Sequence, residues 1–479
     1  MKPRFVNTTR KQRDAGQDDP PREPVLVIAH HPQLARVGEQ VVLDAVTELS
    51  RLAPAFSTGP LDDPFVSRQP ITLRRVRAGI EIANPHDVPL EVGGAPVRDA
   101  RRVAADELAR GIDIVLGGRV VLWLGYDAAD DADLGLVGRS AAMGALRDEV
   151  RAAARLDTAV LVTGETGVGK ELVAHALHAQ SARAKGPLVV VNVAAIPAAV
   201  AASELFGHER GAFTGAGDKR AGYFERANSG VLFLDEIGEL ADAIQPMLLR
   251  ALESGEIQPV GGQPRKVDVR VVAATDADLQ AGAFRAPLYY RLAATTIAVP
   301  PLRERSVDIA ILLARFLLAE LPSELADQTT QASAWLPAAL VAELLHRPWP
   351  GNVRELKHVA QRLAAIARSG RALRSSDVPG FEEEHVDVAT AAPIDDDRLV
   401  AVLREHRFQL ARTAEALGIS RTHLDALIAR SSHLRKAKDL PRDEIEASAA
   451  THGGDIDAMA AALEVSPRGL KLRMRQLGL

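Results

Sequence analysis

The chain has no cysteine. Disulfides, thiolate metal sites and cysteine nucleophiles are therefore excluded, and the composition fits a reducing compartment. No stretch approaches the ~18 consecutive apolar residues of a membrane span. The first residues, MKPRFVNTTRKQRDAGQDDPPREP, lack the apolar core of a secretory signal. Residues 1–24 are expected to be a mobile tail, and the protein to be cytoplasmic, without a membrane partner. A large excess of charge is also missing: the net charge is −5. That rules out a chain-wide nucleic-acid coat but leaves room for a local DNA-binding module. What is present is ordinary globular material, 47% hydrophobic and 25% charged. At roughly 150 residues per domain, 479 residues suggest about three domains.

The pattern changes twice along the chain. Residues 25–126 carry short apolar runs punctuated by Gly and Pro: PVLVIA, PITLRRV, GIEIA and VPLEV. In DIVLGGRVVLWL, Gly117-Gly118 offers the positive φ angles of a tight hairpin turn. Many short strands predict a β-sandwich. The segment DPFVSRQPITL resembles a forkhead-associated (FHA) domain, a phosphothreonine-reading sandwich, through Ser67 and Arg68; Pro70 stands where that family usually has His. The resemblance implies a phosphothreonine protein or kinase as partner, against a sandwich that only docks to protein. After an acidic linker, DAADDADLG, residues 136–380 alternate apolar runs with helical patterns and become helical after Pro301. Runs apolar on both faces predict a parallel sheet covered by helices. A second acidic stretch, EEEHVDVATAAPIDDD, precedes residues 394–479, which contain an internal repeat. His406 and His452, Ala414 and Ala460, Leu417 and Leu463, and Leu424 and Leu470 are each 46 apart in number. Each unit reads as helix, turn and a second helix opened by Ser420 or Ser466.

Three motifs carry chemistry in the central part. GETGVGKE, residues 164–171, fills the first seven positions of a phosphate-binding loop. Gly164, Gly167 and Gly169 let backbone N–H groups face phosphate, the following helix adds its dipole, and Lys170 reaches the β- and γ-phosphates. Glu165, Thr166 and Val168 complete the loop. Position 171 is Glu, so the hydroxyl ligand usual for Mg²⁺ is missing. GVLFLDE ends an apolar strand on Asp235, a Mg²⁺ ligand candidate, and Glu236, placed to polarise attacking water. Between these lies GAFTGA: Gly211, Ala212, Phe213, Thr214, Gly215 and Ala216. Small residues around one aromatic suit a mobile loop with an apolar protein-contact tip.

In this order the motifs closely resemble the sigma-54-dependent transcription activators, the AAA+ enhancer-binding proteins. Members of that family commonly carry Glu at the position of Glu171. The resemblance implies ATP and Mg²⁺ as cofactors, and that GAFTGA engages sigma-54 RNA polymerase holoenzyme. It further implies that Asn192 restrains the catalytic Glu236. Arg285 and Arg291 reach a neighbour's nucleotide in a homo-oligomeric, hexameric ring. Arg354, in WPGNVREL, senses nucleotide, and Val260–Arg270 forms a second loop supporting GAFTGA. Two positions depart from the family: Thr275-Asp276 replaces Thr-Asn, and Pro287 replaces an acidic residue. A carboxylate at 276 repels a γ-phosphate where an amide donates to it.

The C-terminal units resemble Fis-type helix-turn-helix domains, implying upstream DNA as partner. Arg468, Lys471, Arg473 and Arg475 cluster in the second unit; Arg421, Thr422 and His423 lie in the first beside Asp425, which phosphates repel. The expected architecture is multidomain. It joins an FHA-like β-sandwich, a central α/β AAA+ P-loop domain with helical lid, and all-α helix-turn-helix repeats. The expected function is ATP-dependent transcription activation. Its rivals are a DNA-binding regulator with an impaired ATPase and an AAA+ remodeller of another target.

Overall fold

The computed structural model describes residues 23–126, 134–212, 218–281, 284–327, 335–371, 373, 377–378, 396–406, 408, 413, 440–453, 455–465 and 467–477. The chain divides into two compact units, Met1–Phe381 and Glu382–Leu479.

The first unit opens with β1 (Pro24–His30), β2 (Gln40–Val42), β3 (Val46–Leu49), β4 (Ile71–Val76), β5 (Gly79–Ala83), β6 (Leu90–Val92), β7 (Ala95–Pro96) and β8 (Ala100–Ala104). A short helix α1 (Ala105–Arg110) leads to β9 (Ile112–Leu116) and β10 (Val120–Tyr126). The strands pair antiparallel into two sheets, β2-β1-β10-β9-β6-β7 and β3-β4-β5-β8. Leu116 pairs with Val120, so the hairpin loop is Gly117, Gly118 and Arg119. Its two glycines take φ of 59° and 63°, angles at which a Cβ is strained. The four apolar runs read from the sequence are β1, β4, β5 and β6; β2, β3, β7 and β8 have no run long enough to mark them.

The two sheets differ in how they are buried. β5, and the first half of β4, alternate between buried and partly exposed positions, as an antiparallel sheet with one wet face should. Their inward residues Leu73, Ile80 and Ile82 share a core with Leu26, Ile28, Ile114 and Leu122 of the larger sheet. Yet β1 and β9 are buried at every position, and β10 at all but the last. Their other faces, with Val25, Val27, Ala29, Val115, Val121 and Trp123, belong to a different core, made with helices about 200 residues further along the chain.

Those helices follow the central domain. It contains α2 (Ala141–Ala154), β11 (Val160–Thr163), α3 (Lys170–Gln180), β12 (Leu188–Asn192), α4 (Ala198–Phe206), α5 (Tyr223–Arg226) and β13 (Val231–Asp235). Then come α6 (Gln245–Ser254), a hairpin of β14 (Glu256–Ile257) and β15 (Arg265–Lys266), β16 (Arg270–Thr275), α7 (Ala286–Leu292) and β17 (Thr295–Ala298). The sheet order is β12-β13-β16-β11-β17, all parallel. All six residues of β16 are buried, as helices on both faces require. Because β16 runs between β11 and β13, the loops leaving these three strands meet at one edge. A crevice at the carboxyl ends of parallel strands is the usual ligand position in such sheets.

The lid consists of α8 (Ser306–Glu320), α9 (Ser323–Ala326), α10 (Ala338–His346) and α11 (Asn352–Arg368). Buried Asp308 ties it to the start of α2, accepting from Arg139 N at 2.6 Å, Ser140 N at 3.0 Å and Ser140 Oγ at 2.7 Å. Burial raises this carboxyl above its ordinary range, against those hydrogen bonds.

In the second unit, α12 (Asp396–Glu405) is described together with α13 (Arg442–His452), α14 (Ile456–Ala462) and α15 (Pro467–Leu477). Three residues of the sequence repeat, Ala460, Leu463 and Leu470, are buried here with Leu440, Ile445, Met459 and Val465. Ala462, which the same offset pairs with Ala416, is exposed, and His452 is half-buried. The corresponding second helix of the first repeat, Ser420 and Ser466, and the linkers at 127–133 and 379–395 lie outside the described residues.

His30, at the end of β1, is 2% exposed. Burial lowers its pKa from 6.5 to about 3, helped by the like charges of His31 and Arg119. The unfolded chain binds this proton first, so stability from a neutral His30 is intact above pH 6.5 and falls as the pH drops towards 3. The slope from this one group is about 1.4 kcal/mol per pH unit. Urea titrations between pH 7 and 4.5 should show that acid loss in the native protein and a flatter profile in His30→Leu; parallel profiles would mean that His30 is not buried in neutral form.

Candidate functional site

The phosphate-binding loop joins β11 to α3, with Gly164, Gly167 and Gly169 at φ of 153°, 79° and 105°. Gly167 is required twice over: a Cβ there would come within 2.4 Å of Gly351 O. Lys170 opens α3, is buried, and donates from Nζ to Gly164 O at 2.9 Å and Glu165 O at 3.4 Å. It is thus held against its own loop at the mouth of a cavity of about 790 Å³. Thr166, Gly167, Val168, Gly169, Glu171, Asp235, Glu236 and Arg354 line that cavity, as read from the sequence. Leu136, Met143, Leu312 and Phe316 form its apolar end. Gly135, assigned to the linker from sequence, also lines the cavity.

Asp235 ends β13, and its Oδ1 accepts from Glu236 N at 3.1 Å. Glu236 adopts φ 53°, a left-handed conformation uncommon for Glu. This break in the strand lets two adjacent carboxylates serve one cavity. Burial raises the Glu236 pKa, and the neighbouring Asp276 raises it further. Asp276 leaves β16 between the two motifs. Its Oδ2 accepts from Thr166 Oγ1 at 2.5 Å, and this bond holds its carboxyl below the usual range. The departure from the family thus has a partner, the hydroxyl of the phosphate loop. Thr275 is buried and its Oγ1 accepts from Ala277 N at 3.0 Å.

Glu165 does not face the cavity. It takes two hydrogen bonds from Arg303, at 2.7 and 2.9 Å, and one from Asn352 Nδ2 at 3.1 Å. Arg303 first and Asn352 second lower its pKa to about 2. Asn352 is fully buried at φ 50°. It also donates to Thr166 O at 3.1 Å and accepts from Leu302 N at 2.8 Å, while Val353 N donates to Gly167 O at 3.1 Å. Sequence reasoning missed Arg303 and Asn352. The pair Gly351-Asn352 was the one available signal, since Asn tolerates positive φ best after Gly. Arg303 is too distant in sequence from Glu165 to leave any.

The GAFTGA segment springs from a stapled base. His208 and Arg220 exchange backbone hydrogen bonds at 3.0 and 3.1 Å, and Glu209 N donates to Val260 O at 3.0 Å. Lys219 reaches Glu209 at 2.8 Å and Arg220 reaches Glu204 at 2.7 Å. A Cβ on Gly261 would lie 3.0 Å from that of Ala212, so the second loop abuts the first. Gly211 and Ala212 are described; Phe213, Thr214, Gly215 and Ala216 lie outside the described residues. The second loop is shorter than read from sequence, because Arg270 starts β16 and is buried against Ala153 O at 2.8 Å.

Besides Gly164, Glu165, Thr275 and Asp276, three more expected residues stand apart from the cavity lining. Asn192 ends β12 in register with Asp235, but its Oδ1 accepts from Ala195 N at 3.2 Å. Arg285 caps the start of α7 and Arg291 lies in its last turn; both are exposed, and Arg291 donates to Leu252 O at 2.9 and 3.1 Å. Ser67 Oγ accepts from Gln69 N at 3.0 Å and borders a second cavity, about 240 Å³, with apolar Leu49, Phe65, Val66, Ile71 and Leu116. Arg68 is exposed. On α15, Lys471 and Arg475 are exposed, while half-buried Arg473 donates to Leu440 O at 3.2 Å. The side chain of Arg468, and Arg421, Thr422 and His423 altogether, lie outside the described residues.

Comparison with known proteins fits this geometry. Residues 136–298 match the sigma-54 interaction domain and residues 303–392 the AAA+ ATPase lid domain. The chain belongs to the sigma-54-dependent activators. The anaerobic nitric oxide reductase transcription regulator NorR of Vibrio vulnificus is 50% identical over 239 residues, 49% of this chain and 46% of that protein. The Nif-specific regulatory protein of Azotobacter vinelandii is 42% identical over 300 residues, 60% of this chain and 56% of that protein. NtrX from Brucella abortus, solved in complex with ATP, is 32% identical, covering 61% of this chain and 68% of that one with a TM-score of 0.45. The chain spans about half the length of the first curated relatives it matches. For a sigma-54-dependent activator the fused P-loop and lid are expected, and the Asp276 contact is the local deviation.

An amide at 276 can still accept from Thr166 and removes one negative charge facing phosphate. Asp276→Asn should therefore tighten ATP binding several-fold, on the order of 1 kcal/mol, while Thr166→Val alone should weaken it. Calorimetric ATP titrations check this; equal affinities for native protein and Asp276→Asn would mean that the carboxylate does not face the phosphates.

Proposed function

We propose that the protein hydrolyses ATP in a ring of identical subunits and uses the cycle to drive the GAFTGA loop against sigma-54 RNA polymerase holoenzyme, opening promoters from upstream DNA. The observation that carries this is the convergence of Lys170, Asp235 and Glu236 on one cavity in the domain that bears the stapled GAFTGA base. The nucleotide's base fits the apolar end, and its phosphates fit the N-terminus of α3. Lys170 would leave its loop carbonyls for the phosphates. Asp235 is the carboxylate suited to hold Mg²⁺, which offsets phosphate charge when bound. Glu236, with its raised pKa, is suited to orient water and take its proton. Arg285 and Arg291, exposed on α7, are free of this protomer's cavity and suited to reach a neighbour's. Asn192 would act as a restraint on Glu236 only after leaving Ala195 N. The impaired-ATPase alternative draws on Asp276, and the same assay decides between them.

The N-terminal sheets are proposed as the FHA-like sandwich that receives the signal, with phosphothreonine read at Ser67 and Arg68. The C-terminal helices are proposed as helix-turn-helix units. The domain limits are proposed as read from sequence, 25–126, 136–380 and 394–479, and the subunit number of the ring as six.

Purified protein should hydrolyse ATP with a rate per subunit that rises with concentration. Lys170→Ala should abolish binding, and Glu236→Ala should keep ATP bound while turnover falls by ~10²-fold or more. Absence of turnover in the native protein at every concentration would favour the impaired-ATPase reading. Phe213→Ala should hydrolyse ATP normally yet fail to form open complexes in a reconstituted transcription assay; normal open complexes would refute its role as the contact.

For DNA, replacing Lys471 and Arg475 together should weaken binding and flatten the log–log salt dependence by about one unit per lost phosphate contact. Gel-shift titrations across salt read this out. An unchanged slope would remove α15 from the DNA interface.

A further inference from the structure

Three strands of the larger N-terminal sheet, β1, β10 and β9, bury both faces, which a free-standing sandwich has no reason to do. Their second face is covered by the lid. α8 packs on β1 and on the turn at Leu34–Arg36, and α10 packs on β1, β9 and β10. Polar pins fix the register: Trp123 Nε1 donates to Ser306 Oγ at 3.1 Å, His346 Nε2 lies 2.7 Å from buried Asp113 Oδ1, and Gln33 Nε2 donates to Asp327 Oδ2 at 3.0 Å. Gln33 and Asp327 also form an antiparallel bridge. α8 touches both parts. Ser306 and Ile311 meet the N-terminal unit. Leu312, Arg315 and Phe316 of the same helix line the nucleotide cavity.

We infer that the N-terminal two-sheet unit is a permanently docked part of the lid, and that it exchanges free energy with the nucleotide site through α8 without ever undocking. A sensor tethered by a linker must release or capture its target to signal. Here the sheet adds Val25, Val27, Ala29, Val115, Val121 and Trp123 to the lid's own apolar core, so release would expose them together with the helices they cover. Signal and nucleotide are then linked by a small shift of one shared helix, and linkage makes the coupling reciprocal. The coupling half of this inference rests on ATP binding in the central cavity; the docking half does not.

The absence of native cysteine gives a clean test. Bridged antiparallel partners have Cα spacings within disulfide range. Full-length Gln33→Cys/Asp327→Cys should form an intramolecular disulfide under mild oxidation, with free thiols disappearing. Oxidised and reduced forms should hydrolyse ATP within about twofold of each other. Failure of the disulfide to form, or a reversible fall of about tenfold or more on oxidation, would overturn permanent docking. In the unsubstituted protein, binding of a non-hydrolysable ATP analogue should slow amide exchange in β1 and β10 together with α8. Calorimetry on the same samples separates the two readings: analogue bound with β1 and β10 unchanged overturns the coupling, whereas no analogue bound overturns the ATP reading and leaves docking to be judged by the disulfide.

Discussion

One buried side chain holds the phosphate loop to the lid. Asn352 reaches Glu165, Thr166 and Leu302 at once, from a left-handed conformation that most residues avoid. Each of these bonds contributes about 1 kcal/mol net, but an unsatisfied group left buried costs more. The arrangement therefore tolerates little between complete and broken. Through it the loop's geometry depends on the helical domain that follows it, and the bidentate Arg303–Glu165 pair repeats the constraint at the surface. A loop that must wrap a polyanion cannot also be floppy, and the loop's own strand and helix fix only its ends.

The same loop faces a charge problem. Asp235, Glu236 and Asp276 gather where nucleotide phosphates would also have to sit. Lys170 is the buried cation among them. Glu236 meets the crowding by a raised pKa, and Asp276 by a short bond to Thr166. Replacing the family's amide with a carboxylate thus turned a donor towards phosphate into an acceptor for the loop.

The parts of this arrangement carried by contiguous residues were legible in the sequence. GETGVGKE marks its own loop, the run GVLFLD its own strand, and Gly117-Gly118 its own hairpin, because backbone conformation and local composition determine each. The contacts that regulate the site were not. Thr166 and Asp276 are 110 residues apart in the chain, and Glu165 and Arg303 are 138 apart; only the order β13-β16-β11 brings the former together. The strands β2, β3 and β7 are too short for a period to show, and β8 carries two arginines. In the C-terminal unit Ala460, Leu463 and Leu470 of the repeat are buried, and the repeat by itself carries no information about a DNA-facing surface.

A clue to the domain arrangement was nonetheless present. PVLVIA and RVVLWL are apolar at successive positions, whereas PITLRRV and GIEIA alternate. In an antiparallel sheet that difference separates strands covered once from strands covered twice. The second cover had to come from somewhere, and the chain supplies it from α8 and α10. Hydrophobic burial has no direction, so it could not specify which helices. Trp123 with Ser306 and Asp113 with His346 do that, because a buried indole N–H or carboxylate needs one partner at one distance. Apolar surface thus makes the contact between sheet and lid obligatory, and these few polar groups choose its register. That register places α8, whose Leu312, Arg315 and Phe316 line the nucleotide cavity, against the sheet.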